Sequence, residues 1–174
     1  MNKTLLRLTL PATLLTLAAC ASSPPSKPDA IAALNSSSGS QVGGNVSFRN
    51  AAGGVFVEVI ATGLTAGAHG FHIHEVGDCS APDATSAKGH FNPKVKSHGH
   101  PMEGEHHAGD MPNLVADASG EARLSVVIPG LSVGSGESNI LGRGIVIHAD
   151  PDDYKSQPAG NSGKRIACGV IKAP

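Results

Sequence analysis

The chain carries nine histidines, and eight of them fall between His69 and His107. His72 and His74 stand two apart in Phe71-His72-Ile73-His74, a short alternating run, so their side chains share one face of a predicted strand. Two imidazoles on one face can bind one metal ion. His148 ends another strand-like run, Ile145-Val146-Ile147-His148, near the far end of the chain. His90, His98, His107 and Asp110 follow one another at spacings of 8, 9 and 3 residues in a stretch rich in His, Pro and Lys. Three imidazoles and one carboxylate make a closed tetrahedral set that suits zinc. An imidazole-only set suits copper or zinc, with Cu²⁺ favoured by intrinsic affinity. Spacing alone does not say which His serves which ion. A lone His is more often a satisfied structural residue than a ligand, but that explanation does not cover two strand histidines together with a His/Asp loop. It does cover His100 and His106, which are left out of the set. His69, just before the strand, is expected to hydrogen-bond within the fold.

These side chains need a rigid frame, and the sequence predicts one made of strands. Val55–Ile60 is mainly β-branched and bounded by Gly53-Gly54 and Thr62-Gly63. Leu114–Ala118 and Glu121–Pro129 flank Ser119-Gly120, a hairpin signal. Ala30–Leu34, Val42–Arg49, Gly70–Glu75, Gly144–Ala149 and Arg165–Ile171 bring the count to eight. No segment sustains a 3.6-residue apolar period. The expected class is all-β, an eight-stranded Greek-key barrel or sandwich of immunoglobulin-like architecture. Two long stretches, Gly77–Pro112 and Asp150–Gly163, do not fit strands and are expected to be functional loops. With 3 % aromatic residues, the core must be built mainly from Val, Ile, Leu and Ala.

The first 19 residues fall outside this frame. Lys3 and Arg7 precede an apolar stretch, Leu8–Ala19, too short for a membrane-spanning helix, and the pattern is that of a secretory signal. Its end, Leu17-Ala18-Ala19-Cys20, resembles the lipobox of bacterial lipoproteins, in which the Cys is lipidated and becomes the mature N-terminus. The alternative is ordinary cleavage with Cys20 left as a stray thiol, which is unusual in an exported protein. Ala21, not Asp, follows Cys20, which favours the outer membrane over inner-membrane retention. The expected organisation is a signal peptide over 1–19, a Ser/Pro-rich tether over 20–29 and one folded domain over 30–174. Export to the periplasm or cell envelope, with a lipid anchor to the membrane, makes a disulfide between the two remaining cysteines, Cys79 and Cys168, the natural pairing.

Charge narrows the function further. The whole chain has 13 basic and 14 acidic residues. Removing Lys3 and Arg7 with the leader leaves 11 against 14. Basic residues do not exceed acidic ones, so a general nucleic-acid binder is excluded. Composition also excludes collagen, a coiled coil, a disordered acidic chain and a small disulfide-only scaffold.

The motifs together resemble a known family. Gly70-Phe71-His72-Ile73-His74-Glu75, Gly77-Asp78-Cys79 and Gly89-His90-Phe91-Asn92-Pro93 are similar to the metal-binding segments of copper/zinc superoxide dismutases. So are His107-Ala108-Gly109-Asp110, Val146-Ile147-His148 and Gly163-Lys164-Arg165-Ile166-Ala167-Cys168-Gly169-Val170. The resemblance runs from about Val42 to Ile171. It implies one copper and one zinc ion per subunit, and superoxide as the substrate. His72, His74, His90 and His148 would bind copper. His90 would bridge to zinc, whose set His98, His107 and Asp110 would complete. Asp152 would join ligands of the two metals through their free N–H groups, with Asp150 and Asp153 close by in sequence. Arg165 would hold the substrate anion, and Cys79 would pair with Cys168. A homodimer is compatible with the resemblance, but its interface does not carry over, because bacterial and eukaryotic members associate differently.

The expected mature chain is net negative and the substrate that the resemblance implies is an anion, so local positive charge would have to act near the implied copper. Arg165 supplies it at short range, and Lys88, Lys94, Lys96 and Lys164 are candidates to extend it. Three other functions compete. A metal buffer or carrier needs neither Arg165 nor a bridging His nor the disulfide. A zinc hydrolase needs an open zinc position, whereas the set at His90, His98, His107 and Asp110 is already full. A purely structural sandwich has no use for clustered histidines.

Overall fold

The computed structural model describes residues 27–174. The signal peptide, Cys20 and most of the expected tether lie outside the described residues. Nine strands run in chain order: β1 Ala30–Ser36, β2 Gly43–Ala51, β3 Gly54–Thr62, β4 Gly67–His69, β5 Phe71–His74, β6 Leu114–Ala116, β7 Ala122–Pro129, β8 Gly144–His148 and β9 Arg165–Val170. One 3-10 turn, Thr85–Ala87, interrupts the long loop, and there is no α-helix among the described residues.

All-β architecture is as expected, but the count of eight strands is corrected to nine. The added strand, β4, spans three residues and pairs with β6 through Ala68 and Val115. It begins with Gly67, is followed by Gly70 and contains no β-branched residue, so it gives no strand signal in the sequence. Its short ladder is set by tertiary pairing.

The strands are ordered β4-β6-β7-β3-β2-β1-β9-β8-β5, with antiparallel pairing throughout. β1 belongs to both halves of the sheet. Ala30–Leu34 pair with β2, while Asn35 and Ser36 pair with β9. The two end strands, β4 and β5, are separated in sequence only by Gly70, so the chain itself joins the two edges into a nearly closed barrel.

Alternation sets the core. In β3, Val55, Val57, Val59 and Ala61 are buried, and they pack with Phe48, Phe71, Ile73, Ile145 and Ile147. Each of the Val, Ile and Phe side chains contributes roughly 1.5–3 kcal/mol on burial. The same period fixes the site. Phe71 and Ile73 face the core, so His72 and His74 face the other way, toward the loops. A one-residue slip of β5 would exchange the two pairs, and burial of Phe71 and Ile73 opposes it.

Candidate metal centre

The free edge of β5 collects the loop residues. Ile73 N–H donates to Gly109 O, Phe91 N–H to Ile73 O, and Gly109 N–H to Phe91 O, each at 2.8 Å. His90 and Asp110 are thereby set beside His74 and His72, with which they form β-bridges. This close approach requires glycine, because a Cβ at Gly109 would lie 2.2 Å from Ile73 O. A bulge in the β8–β9 ladder then aligns His148 with Arg165, after Ile147 with Ala167. Bulges commonly re-aim a side chain beside an active site.

Two groups of metal-ligating side chains result. His72, His74, His90 and His148 each offer a ring nitrogen within 4.8 Å of the others, and the same holds for one atom each of His90, His98, His107 and Asp110. All seven residues are buried. His90 belongs to both groups, and its ring stacks on that of His72 with centroids 4.0 Å apart.

Hydrogen bonds decide which nitrogen of each ring is free. His74 Nδ1 donates to Lys88 O at 2.8 Å, which leaves Nε2. His72 Nε2 donates to Asp152 Oδ2 at 2.8 Å, which leaves Nδ1. His148 Nδ1 faces Gly163 O at 3.3 Å, and its Nε2 lies 3.4 Å from that of His74. In the second group, the Nδ1 atoms of His90, His98 and His107 lie 2.8, 3.0 and 3.4 Å from one oxygen, Asp110 Oδ1. Asp110 Oδ2 accepts from the backbone N–H groups of His107 and Gly99, which fixes the carboxylate. His72 Nδ1 and His90 Nε2 are buried and have no hydrogen-bond partner. A buried polar atom without a partner costs roughly 1–3 kcal/mol. Two such nitrogens in one His cluster fit an ion that takes their lone pairs.

Burial holds the two groups in different protonation states. It drives His72, His74 and His148 below the usual imidazole value, and neighbouring histidines add to the shift. It lowers His90 to about 4 against the pull of Asp110. These rings are neutral, the form that coordinates metal. At His98 burial also pulls downward, but hydrogen bonds to Asp110 and Asp152 outweigh it and raise the ring to about 9. Burial pushes Asp110 and Asp152 upward, yet their histidine hydrogen bonds hold both well below the carboxylate range.

Asp152 links the two groups. Its Oδ2 accepts from His72 Nε2, and its Oδ1 accepts from His98 Nε2 at 2.9 Å and from Tyr154 N–H at 2.7 Å. Its sequence neighbours Asp150 and Asp153 are exposed, and Asp153 instead binds Lys155 and Ser156 in a local turn. Asn113, which the sequence did not single out, grips the backbone of Asp152 from both sides.

Arg165 donates to Ala84 O and Lys88 O, each at 2.6 Å. It lines a cavity of about 320 Å³ with His74, His90, His148, Pro158 and Ala159. Cys79 and Cys168 form a disulfide that ties the long loop to β9. His69 Nδ1 donates to His148 O at 2.9 Å, in keeping with a structural role. His100 packs on Tyr154 with centroids 4.6 Å apart, and His106 faces Gly104 O; neither joins a metal group. Lys88 is exposed. Lys94 and Lys96 line a separate groove with His106, while Lys164 borders Arg165.

Comparison with known proteins defines the class. A family model described as copper/zinc superoxide dismutase matches residues 42–171. The chain is 52 % identical over 124 residues to copper-zinc superoxide dismutase 2 of Aquifex aeolicus, covering 68 % of this chain and 72 % of that one. It is 42 % identical over 147 residues to the copper-zinc superoxide dismutase of Deinococcus radiodurans, covering 76 % and 79 %. A crystal structure described as that of the clock protein EA4 superposes with a TM-score of 0.77 at 39 % identity, covering 88 % of this chain and 99 % of that one. The chain belongs to the copper/zinc superoxide dismutase family. Its activity is dismutation of superoxide to oxygen and hydrogen peroxide, and its cofactors are one copper and one zinc ion.

Proposed function

We propose that His72 Nδ1 and the Nε2 atoms of His74, His90 and His148 hold copper, and that Nδ1 of His90, His98 and His107 with Asp110 holds zinc. His90 is then the shared ring. The observation that carries this assignment is the pair of buried, partnerless nitrogens, His72 Nδ1 and His90 Nε2. Copper held there would supply a one-electron couple that zinc lacks, the redox chemistry that dismutation requires.

The side chains do the rest. Arg165, fixed by two carbonyls at the rim of the cavity, holds the superoxide anion through its guanidinium. Whenever it is not serving as a ligand, His90 Nε2 would hold a proton and pass it to the forming peroxide; a second proton would come from solvent. Asp110 keeps His90 oriented through Nδ1, and Asp152 orients His72 and His98 through their Nε2–H groups. Lys164, beside Arg165, extends the positive field.

Residues 1–19 are proposed as a signal peptide, 20–29 as a tether lipidated at Cys20, and 30–174 as the catalytic domain. The disulfide supports export to an oxidising compartment, and a relative from Brugia pahangi is described as an extracellular superoxide dismutase. Anchoring to the outer membrane would direct the enzyme against superoxide arising outside the cytoplasm. A homodimer is compatible with this placement.

Metal analysis and anomalous scattering on crystals of the purified protein test the assignment, together with superoxide consumption. The expected result is two different metals a few Å apart with the His90 ring between them. Two separated ions, or one kind of ion at both positions with no superoxide consumption, would overturn it.

A further inference from the structure

The segment from Asp152 to Gly160 reaches both groups of ligands. Two of its residues act on His98. Asp152 holds the ring at Nε2, and Gln157 holds the main chain at two points. His98 N–H donates to Gln157 Oε1 at 2.8 Å, and Gln157 Nε2 donates to His98 O at 2.9 Å. With Nδ1 turned to Asp110, every polar group of His98 is engaged. The next two residues, Pro158 and Ala159, wall the cavity that contains Arg165. The packing is tight at its end, where a Cβ at Gly160 would lie 2.8 Å from His98 Nε2.

We infer that Gln157 is a positioning residue that locks the wall of the substrate cavity to the zinc ligand His98. The inference rests on the assignment of His98 to zinc. Asp152 and Asp110 hold the ring and Asp110 also holds Gly99 N–H, but the N–H and C=O of His98 itself are held by Gln157. The paired amide bonds fix this main chain, and they fix Gln157 in return. Displacement of His98 on zinc loss is therefore carried through Gln157 to Pro158 and Ala159, and loss of the clamp weakens zinc retention and the cavity wall together.

Two variants separate hydrogen bonding from packing. Gln157→Met keeps the length and bulk of the side chain without its amide, and Gln157→Ala removes both. The readouts are the rate of zinc transfer to a chelating dye, the Cu²⁺ electron paramagnetic resonance spectrum of fully loaded protein, and the affinity for azide as an anion probe. Both variants should release zinc about tenfold faster, within the range for residues that orient metal ligands, and bind azide several-fold more weakly. The Cu²⁺ spectrum should stay unchanged. Wild-type zinc release in Gln157→Met would show that Gln157 acts by bulk and would overturn the clamp. Faster zinc release with unchanged azide affinity would overturn the link to the wall. Wild-type protein that retains no zinc would instead defeat the assignment of His98, and the clamp with it.

Discussion

Asp152→Asn is the most informative single change, because Asp152 touches a proposed ligand of each metal and neither ion. Its carboxylate accepts three hydrogen bonds, from His72 Nε2 at 2.8 Å, His98 Nε2 at 2.9 Å and Tyr154 N–H at 2.7 Å. The amide has one oxygen. If that oxygen keeps His98 and Tyr154, the NH2 group points at the N–H of His72; if it keeps His72, His98 and Tyr154 face the donor. Either way at least one buried imidazole N–H loses its acceptor, at a cost of roughly 1–3 kcal/mol. At about 1.4 kcal/mol per factor of ten, metal affinity should fall by about 5- to 150-fold. Zinc should suffer most, because Oδ1 holds both the His98 ring and the turn at Tyr154. Competition titrations against a chelator of known affinity, run separately for zinc and copper, measure this. Zinc affinity within twofold of wild type would refute the role assigned to the carboxylate.

Gly160→Ala should loosen zinc with every polar group intact, because its Cβ would lie 1.7 Å from Asp152 Oδ1 and the residue has φ +61°; unchanged zinc release in the same titration would contradict this. Arg165→Ala should slow superoxide consumption roughly tenfold at low salt, flatten its decline with ionic strength and leave copper bound, as expected for loss of a focused positive charge; full activity would remove the anion-anchoring role. Metal-free protein should lose stability as pH falls from 6.5 through about 4. The unfolded chain takes up protons there that buried His90, and with it His72, His74 and His148, resist. His98 acts in the opposite sense, its contribution complete below 6.5 and lost as pH rises through about 9. Urea midpoints across that range, taken in a chelator, should therefore peak near neutrality. Removing the disulfide by Cys79→Ser with Cys168→Ser reopens a link between residues 89 apart, worth up to about 4–5 kcal/mol on the chain-entropy model. A drop below about 1 kcal/mol in chemical denaturation would show that loop closure contributes little here.

Side chains at regular spacing are legible in the sequence alone. The two-residue period of β5 fixes the shared face of His72 and His74 whatever the rest of the chain does. The excess of histidine, together with Asp110, marks the long loop as functional. What stayed hidden is carried by backbone atoms and by single residues in irregular segments. Lys88 O receives both His74 and Arg165, yet a carbonyl is present at every residue and leaves no compositional trace. Asn113 and Gln157 are polar residues in loops full of polar residues. Asp152 was placed by the resemblance; its residue type and spacing do not separate it from Asp150 and Asp153, whereas its contact with His98, 54 residues away, does.

The two groups differ in charge more than in geometry, and that difference bears on which ion each takes. The proposed copper group presents four neutral imidazoles and no carboxylate. The proposed zinc group includes the ionised Asp110, with the ionised Asp152 directly behind His98. The metal-free pocket therefore balances its two carboxylates with a proton on His98, which a dication must displace. Zinc entry should release that proton at neutral pH, and filling both groups should release one more, because the neutral ring of His90 carries a single N–H that it gives up when both its nitrogens are ligands. The shared ring of His90 lies between these environments, its Nδ1 on the anionic side and its Nε2 on the neutral side. The protein thus imposes the asymmetry between the two sites before either ion arrives.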